Sequence, residues 1–211
     1  MGFVEELSAL IPDDVPERDT LIRGAARHLD LIVEANQHFN LTRILDPREA
    51  AIKHVVDSVM PWRLFAGSNH ILDAGTGAGF PGIPLALVFP SIPFTLAESI
   101  GKKARFVEAA VKDLALTNVA VVNQRAEEAL RAKRADIITA RAVAPIERAV
   151  DLFGPAIMQG SKALLYKGPD VEAEITEALP VLKKRRIHAH VVARYDLPEN
   201  MGLRTVVEMA R

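Results

Sequence analysis

The chain has 211 residues, 49% of them hydrophobic, with 26 basic against 27 acidic side chains and no cysteine. That apolar content supports a full core, and nothing in the sequence suggests disorder or a repeat array, while the missing cysteines exclude disulfide frameworks, thiolate metal sites and cysteine nucleophiles. A formal net charge of −1 carries no nucleic-acid signature by itself.

The first twenty residues carry Glu5, Glu6, Asp13, Asp14, Glu17 and Asp19 against Arg18 alone, which leaves the rest of the chain mildly basic. An acidic start without a basic flank or a small-residue cleavage site is not a secretory leader, so a cytoplasmic location is expected. From Glu17 to about Phe39, Leu21, Ala25, Leu29, Ile32 and Phe39 recur at three- and four-residue steps or their sums, which predicts an amphipathic helix. Asp46 is placed to cap a second helix, with Pro47 at its first position and Glu49 in a box-like start. Ala50, Val55, Val56 and Val59 supply its buried side, and Pro61 ends it. Residues 1–65 therefore read as a helical appendage to a larger unit, 66–211.

In that unit short apolar runs alternate with helical segments. "HILDAG", "FTLAE", "VAVVNQ", "ADIITA" and "KALLYKG" read as strands, with helices expected over 81–89, 102–115, 126–132, 145–158 and 170–183. Such alternation predicts a parallel sheet covered on both faces, an α/β Rossmann-like architecture. After Lys183 two longer strands flank a Pro-Asn-Gly turn region with no helix between them, which predicts a C-terminal antiparallel hairpin. Residues 74–97 carry no charge and are long enough to cross a bilayer, but Pro81, Pro84, Pro90 and Pro93 break them up, so no membrane span is expected.

The stretch "ILDAGTGAGFPGIPLALVF", residues 71–89, has the layout of a strand, a tight glycine loop and a helix start. A triphosphate loop needs a lysine, and none is present. A dinucleotide fingerprint can be drawn through Gly77, Gly79 and Gly82, but Pro81 and Pro84 crowd the place of the pyrophosphate. Asp73, Gly75, Gly77 and Gly79 instead resemble the first motif of the methyltransferases that use S-adenosylmethionine, whose fold has five parallel strands and a terminal hairpin. There Asp73 would help orient the cofactor's amino-acid tail, directly or through water. Glu98, 25 residues on at the end of the next strand, would accept both ribose hydroxyls. The place after the fourth strand holds "ITARAVAP" rather than the Pro-Pro-aromatic motif of exocyclic-amine methylation, and C5 methylation of pyrimidines needs a cysteine. Ring nitrogens and oxygens remain as targets.

"NLT" at 40–42, "HVVDSVMP" at 54–61, "DAGTGAGFPGIPLAL" at 73–87, "ESIGKKARFV" at 98–107, "QRAEE" at 124–128, "ITARAVAP" at 138–145 and "YKGPD" at 166–170 occur in that order. Together they closely resemble the bacterial small-subunit ribosomal RNA methyltransferase G family, formerly glucose-inhibited division protein B, over residues 36–170. The resemblance implies methyl transfer from S-adenosylmethionine to N7 of a guanosine in the decoding-region loop of small-subunit (16S) ribosomal RNA. It also implies cofactor roles for Gly75, Gly77, Phe80, Glu98, Ala126, Glu127 and Arg141. Arg125 and Lys167 match basic positions near the pocket mouth, for RNA phosphate or the target base, and Asn40 is a further candidate for substrate docking. In "ARA" an alanine stands where the family usually has serine before the arginine, and Glu98 stands where aspartate is common.

Guanine N7 has a lone pair and no proton, so no general base and no metal are expected, and His188 and His190 read as surface residues of one strand face. The basic run "KKRR" at 183–186 has two readings, a helix end complementing its dipole or an RNA contact that joins Arg141, Arg148, Lys162 and Lys167 at the C-terminal sheet edge. Ribosomal RNA or a ribosomal subunit is the expected partner of a monomeric enzyme. A methyltransferase of the same fold acting on a small molecule or protein, or a ribosome-assembly factor without methyl transfer, are the alternatives.

Overall fold

The computed structural model describes residues 2–44 and 46–211. Seven strands form one sheet in the order β3-β2-β1-β4-β5-β7-β6. β1 (Ile71–Ala74), β2 (Phe94–Ala97), β3 (Val119–Val122), β4 (Ile137–Arg141) and β5 (Lys162–Lys167) are parallel, and β7 (Leu203–Ala210) enters antiparallel between β5 and β6 (His188–Asp196). Burial on both faces explains why β1 and β2 are apolar at nearly every position: Ile71 and Leu96 face one core, Leu72 and Ala97 the other.

Among the described residues nine α-helical segments cover the two faces: α1 (Phe3–Leu10), α2 (Arg18–Asn36), α3 (Pro47–Ala50), α4 (Asp57–Val59), α5 (Gly82–Val88), α6 (Gly101–Asp113), α7 (Ala126–Ala132), α8 (Ile146–Met158) and α9 (Val171–Arg185). Leu21, Ala25 and Leu29 of α2 share one hydrophobic cluster with Ile83 and Leu87 of α5 and with Ile71 and Phe94 of the sheet. Helices α8 and α9 bury Val150, Phe153, Ala178 and Leu182 on the opposite face. Among the described residues no helix is long and apolar enough to cross a membrane. The uncharged stretch 74–97 is divided among the glycine loop, α5 and β2.

The helix expected before Pro61 forms with a change of winding. Asp46 caps it, accepting the Glu49 N–H at 2.8 Å. The Glu49 carboxylate bonds Lys53 Nζ at 2.6 Å, one turn on, instead of reaching back to complete the box. Between α3 and α4, residues Ala51–Val56 wind as a π-helix, whose i→i+5 pattern sequence periodicity did not reveal. Helix α1 was also not foreseen: only Glu6 and Leu7 of its eight residues are buried, too short a stripe for the pattern to register.

The strand order reverses between β1 and β4, and in an open α/β sheet a crevice opens at that switch, outside the carboxyl ends of the strands. Gly75 follows β1 there and Ala142 follows β4.

Candidate active site

After Ala74 the chain turns through Gly75, Gly77 and Gly79 at φ of +67°, +63° and +101°. A Cβ at Gly75 would also crowd Val143, lying 3.0 Å from its Cγ2. Asp73 organises this loop from beneath. Fully buried, it accepts the Thr76 hydroxyl (2.6 Å) and the Gly82 N–H (2.9 Å) on Oδ2, while Oδ1 has no partner, and burial pushes its carboxyl up to about 6. The sequence suggests that Asp73 orients a cofactor tail; its two bonds instead go to the loop, so it shapes the ligand's bed rather than facing outward.

Glu98, at the exit of β2, ties the same loop down from the other side. Its Oε2 accepts the Gly77 N–H at 3.0 Å and its Oε1 the Ile100 N–H at 2.8 Å. Each carboxylate oxygen keeps a lone pair for a further donor, which is what a vicinal diol requires.

Two cavities flank the segment after β4, and Val143 lines both. The smaller, of about 140 Å³, is bounded by Gly75, Ala97, Arg125, Ala126, Glu127 and Phe153. Four of the candidate residues are thus brought together in a cleft that mixes apolar side chains such as Val143 and Phe153 with polar ones such as Gln124 and Arg148, a lining suited to a flat heteroaromatic ring with polar edges. The larger, of about 600 Å³, is bounded by Lys53, His54, Asp57, Arg141, Lys167 and Arg204, among others.

The wall of the larger cavity is held by long-range polar contacts. Arg141 Nη1 donates to the Lys53 carbonyl (2.8 Å) inside the π-helix and lies 3.3 Å from Asp57 Oδ2. Arg204 Nε lies 3.4 Å from the same oxygen, and the Tyr195 hydroxyl donates to Asp57 Oδ1 at 3.1 Å. Asp57, 2% exposed, therefore joins α4, β4 and the hairpin. Lys167 Nζ donates to the Ala144 carbonyl (2.7 Å) and to Glu174 Oε2 (2.6 Å), so this expected RNA contact also anchors the segment after β4.

Phe80 lines neither cavity. Its ring lies 4.7 Å from those of His28 and His54, with the Arg141 guanidinium 5.4 Å from its centroid. The Ala78 carbonyl accepts from His28 Nε2–H at 2.8 Å, which leaves Nδ1 bare. Burial lowers the pKa of His28 to about 4 and, reinforced by the Arg141 charge, that of His54 to about 3. Both rings are neutral packing partners at pH 7.

Asn40 is exposed and lines neither cavity. Asn36 holds its segment instead: Oδ1 accepts the Leu41 and Thr42 N–H groups at 2.8 and 3.2 Å, and Nδ2 donates to the Thr42 carbonyl at 3.0 Å. Asn36, Asp57, Glu174 and Arg204 escaped the sequence reading; the roles of Asp57 and Arg204 rest on partners far along the chain, while Asn36 closes a turn and Glu174 pairs with Lys167 seven residues before it. "KKRR" lies away from the crevice. β6 begins beside the end of β7 (His188↔Ala210), which in turn pairs with the start of β5 (Ala163↔Met209). Those residues and Lys162 therefore sit at the opposite edge of the sheet from Arg141 and Lys167, which corrects their expected grouping.

These residues fit S-adenosylmethionine: a glycine bed without Cβ atoms, a carboxylate with spare lone pairs and a small cleft of mixed polar and apolar lining beside it. A family profile described as rRNA small subunit methyltransferase G matches residues 22–198. The chain is 63% identical over 209 residues to ribosomal RNA small subunit methyltransferase G of Solibacter usitatus, covering 99% of this chain and 100% of that one. It is 36% identical to the protein of the same name from Carboxydothermus hydrogenoformans over 86% of this chain and 79% of the other. Among solved structures, a precorrin-6y C5,15-methyltransferase from Geobacter metallireducens superposes with a TM-score of 0.58 at 15% identity, over 86% of this chain and 98% of that one, which shows a common fold.

Proposed function

The chain belongs to the rRNA small subunit methyltransferase G family, and from that premise we propose that it transfers a methyl group from S-adenosylmethionine to N7 of a guanosine in the decoding-region loop of small-subunit (16S) ribosomal RNA. The observation that carries the reading is the pair of cavities meeting at Val143, one ring-sized beside the glycine loop and one large, open and basic. Bound S-adenosylmethionine supplies an electrophilic methyl group on a cationic sulfonium. Gly75, Gly77 and Gly79 let the backbone approach its tail, Asp73 and Phe80 hold the loop from behind, and Glu98 accepts the ribose hydroxyls. Ala126 and Glu127 border the adenine, and Arg141 closes the wall toward the second cavity.

The larger cavity takes the guanine, with Lys167 at its wall and Arg125 beside the cofactor cleft for phosphate. Asn40, exposed at the end of its turn, is left to touch RNA outside the cavity. The target nitrogen holds a lone pair and no proton, so these residues need only bind, desolvate and align. Residues 66–211 carry the cofactor and the helices of 1–65 close the base-binding side, in a monomer that meets its ribosomal substrate in the cytoplasm.

Transfer of labelled methyl to small subunits lacking the modification, followed by nucleoside analysis, tests this directly. One N7-methylguanosine in the decoding-region loop is expected. Cofactor binding without transfer to subunits or free RNA would favour an assembly factor instead, and transfer only to compact substrates a small-molecule enzyme.

A further inference from the structure

Two carboxylates line the larger cavity, and they are differently occupied. Asp57 is consumed: Arg141 and Arg204 approach one oxygen and the Tyr195 hydroxyl the other. Glu174, at the start of α9, is held by one oxygen only. Its Oε2 accepts Lys167 Nζ at 2.6 Å and the Ile146 N–H at 3.2 Å, while Oε1 takes no bond among the described residues. The partner Lys167 is 11% exposed and spends two of its three N–H groups on Ala144 and Glu174, leaving one free. An acceptor oxygen and a donor hydrogen thus stand side by side on one ion pair in the wall of the cavity.

Guanine presents O6 as an acceptor beside N7 and, further round the ring, N1–H and N2–H as donors on the side away from N7. Adenine reverses the pattern, with an N6–H donor beside the N1 acceptor. Val143, between the cavities, packs toward Gly75, whereas Glu174 grips the far end of the same segment at Ile146. With N7 toward the glycine loop, the N1–H and N2–H side of the base would lie toward the far end of that segment, where Glu174 stands, with O6 between the two and within the reach of Lys167.

We infer that Glu174 is a specificity-determining residue: its free oxygen accepts N1–H and N2–H of the target guanine while Lys167 donates to O6. The inference rests on the larger cavity being the seat of the target base. The alternative is that Glu174 only props Lys167 and Ile146. Glu174→Gln separates the two, because the amide keeps an oxygen for the prop yet turns a donor toward the base, matching adenine N1 and opposing guanine N1–H.

The experiment compares wild type and E174Q on reconstituted small subunits carrying either guanosine or adenosine at the position the wild type methylates. It reads kcat/KM for each, with S-adenosylmethionine affinity and thermal unfolding as controls. The expected result is a loss of about tenfold or more on guanosine with an adenosine-to-guanosine ratio raised by a similar factor, at unchanged cofactor affinity. If both substrates fall together and the ratio stays where it was, Glu174 is a prop and the inference is overturned alone. Absence of transfer by the wild type overturns the reading of the reaction, and this inference with it.

Discussion

The two cavities that meet at Val143 are built in different ways. The bed of the smaller is laid by one loop and the strand ends beside it: Asp73, Thr76 and Gly82 bond within ten residues of one another, and Glu98 joins from the adjacent strand. The larger is assembled from side chains brought together across most of the chain. Arg141 reaches 88 residues back to Lys53, and Arg204 reaches 147 back to Asp57. A local bed sets backbone shape for a ligand common to many enzymes, whereas a wall of distant ion pairs can be varied side chain by side chain to suit one substrate.

The strongest way to break the contrast is at the point where the distant contacts converge. Asp57→Ala leaves the Arg141 and Arg204 guanidiniums, with side chains 18% and 25% exposed, without their shared counter-charge. Removing one partner of such a buried set costs about 3–5 kcal/mol. Chemical denaturation should show that loss together with weakened binding of subunits. The cofactor cleft, built locally, should keep its affinity in whatever fraction stays folded; equal loss of both functions would mean the cavities are one mechanical unit.

Acid titration probes the junction, where His28 and His54 clasp Phe80. Their folded pKa values of about 4 and about 3 lie below the ordinary 6.5, so the unfolded chain binds more protons as pH falls below 6.5. Stability from the neutral rings is therefore full above that pH and is lost progressively toward pH 4. His28→Gln keeps an N–H for the Ala78 carbonyl without the titration. It should spare about 2 kcal/mol of the stability otherwise lost between pH 7 and 5. Asp73 has the opposite sign: its carboxyl, raised to about 6 from 3.8, makes the folded chain gain stability as pH falls from 6 toward 4. Asp73→Asn keeps an acceptor for Thr76 and Gly82 but removes that gain, so it should steepen the acid loss by about 1 kcal/mol. Denaturation midpoints of both variants at pH 7 and 5 check the two signs.

Legibility in the sequence followed the same division. Strands buried on both faces announced themselves as apolar runs, and the glycine loop with Asp73 and Glu98 declared its place because its spacing is a local property of chain geometry. The site's second half was hidden for a physical reason. An ion pair such as Lys167 with Glu174, or Arg204 with Asp57, leaves no trace in periodicity, since either charge reads equally well as a solvated surface residue. The π-helix was invisible because one extra residue per turn over Ala51–Val56 barely disturbs an apolar stripe that already serves an α-helix. Asp73 was placed rightly in the motif, yet its direction, inward onto Thr76 and Gly82, depended on a loop path that spacing alone does not specify.

The smallest expected effects sharpen the contrast at the edge of the larger cavity, where two asparagines four residues apart invite confusion. Asn36 closes the turn with three bonds to Leu41 and Thr42, and Thr42 in turn places its hydroxyl 3.1 Å from His54 Nε2. Asn36→Ala should cost about 1 kcal/mol, because the freed Leu41 and Thr42 backbone groups are only partly buried and regain some water. Asn40→Ala removes an exposed side chain and should change stability by less than about 0.5 kcal/mol. The useful measurement is therefore the pair of KM values for subunits. A raised KM in N40A at unchanged stability would show that Asn40 touches RNA itself. A raised KM in N36A alone would show that the turn matters only through the shape it gives Thr42 and His54, and so belongs to the distant, side-chain-built half of the site.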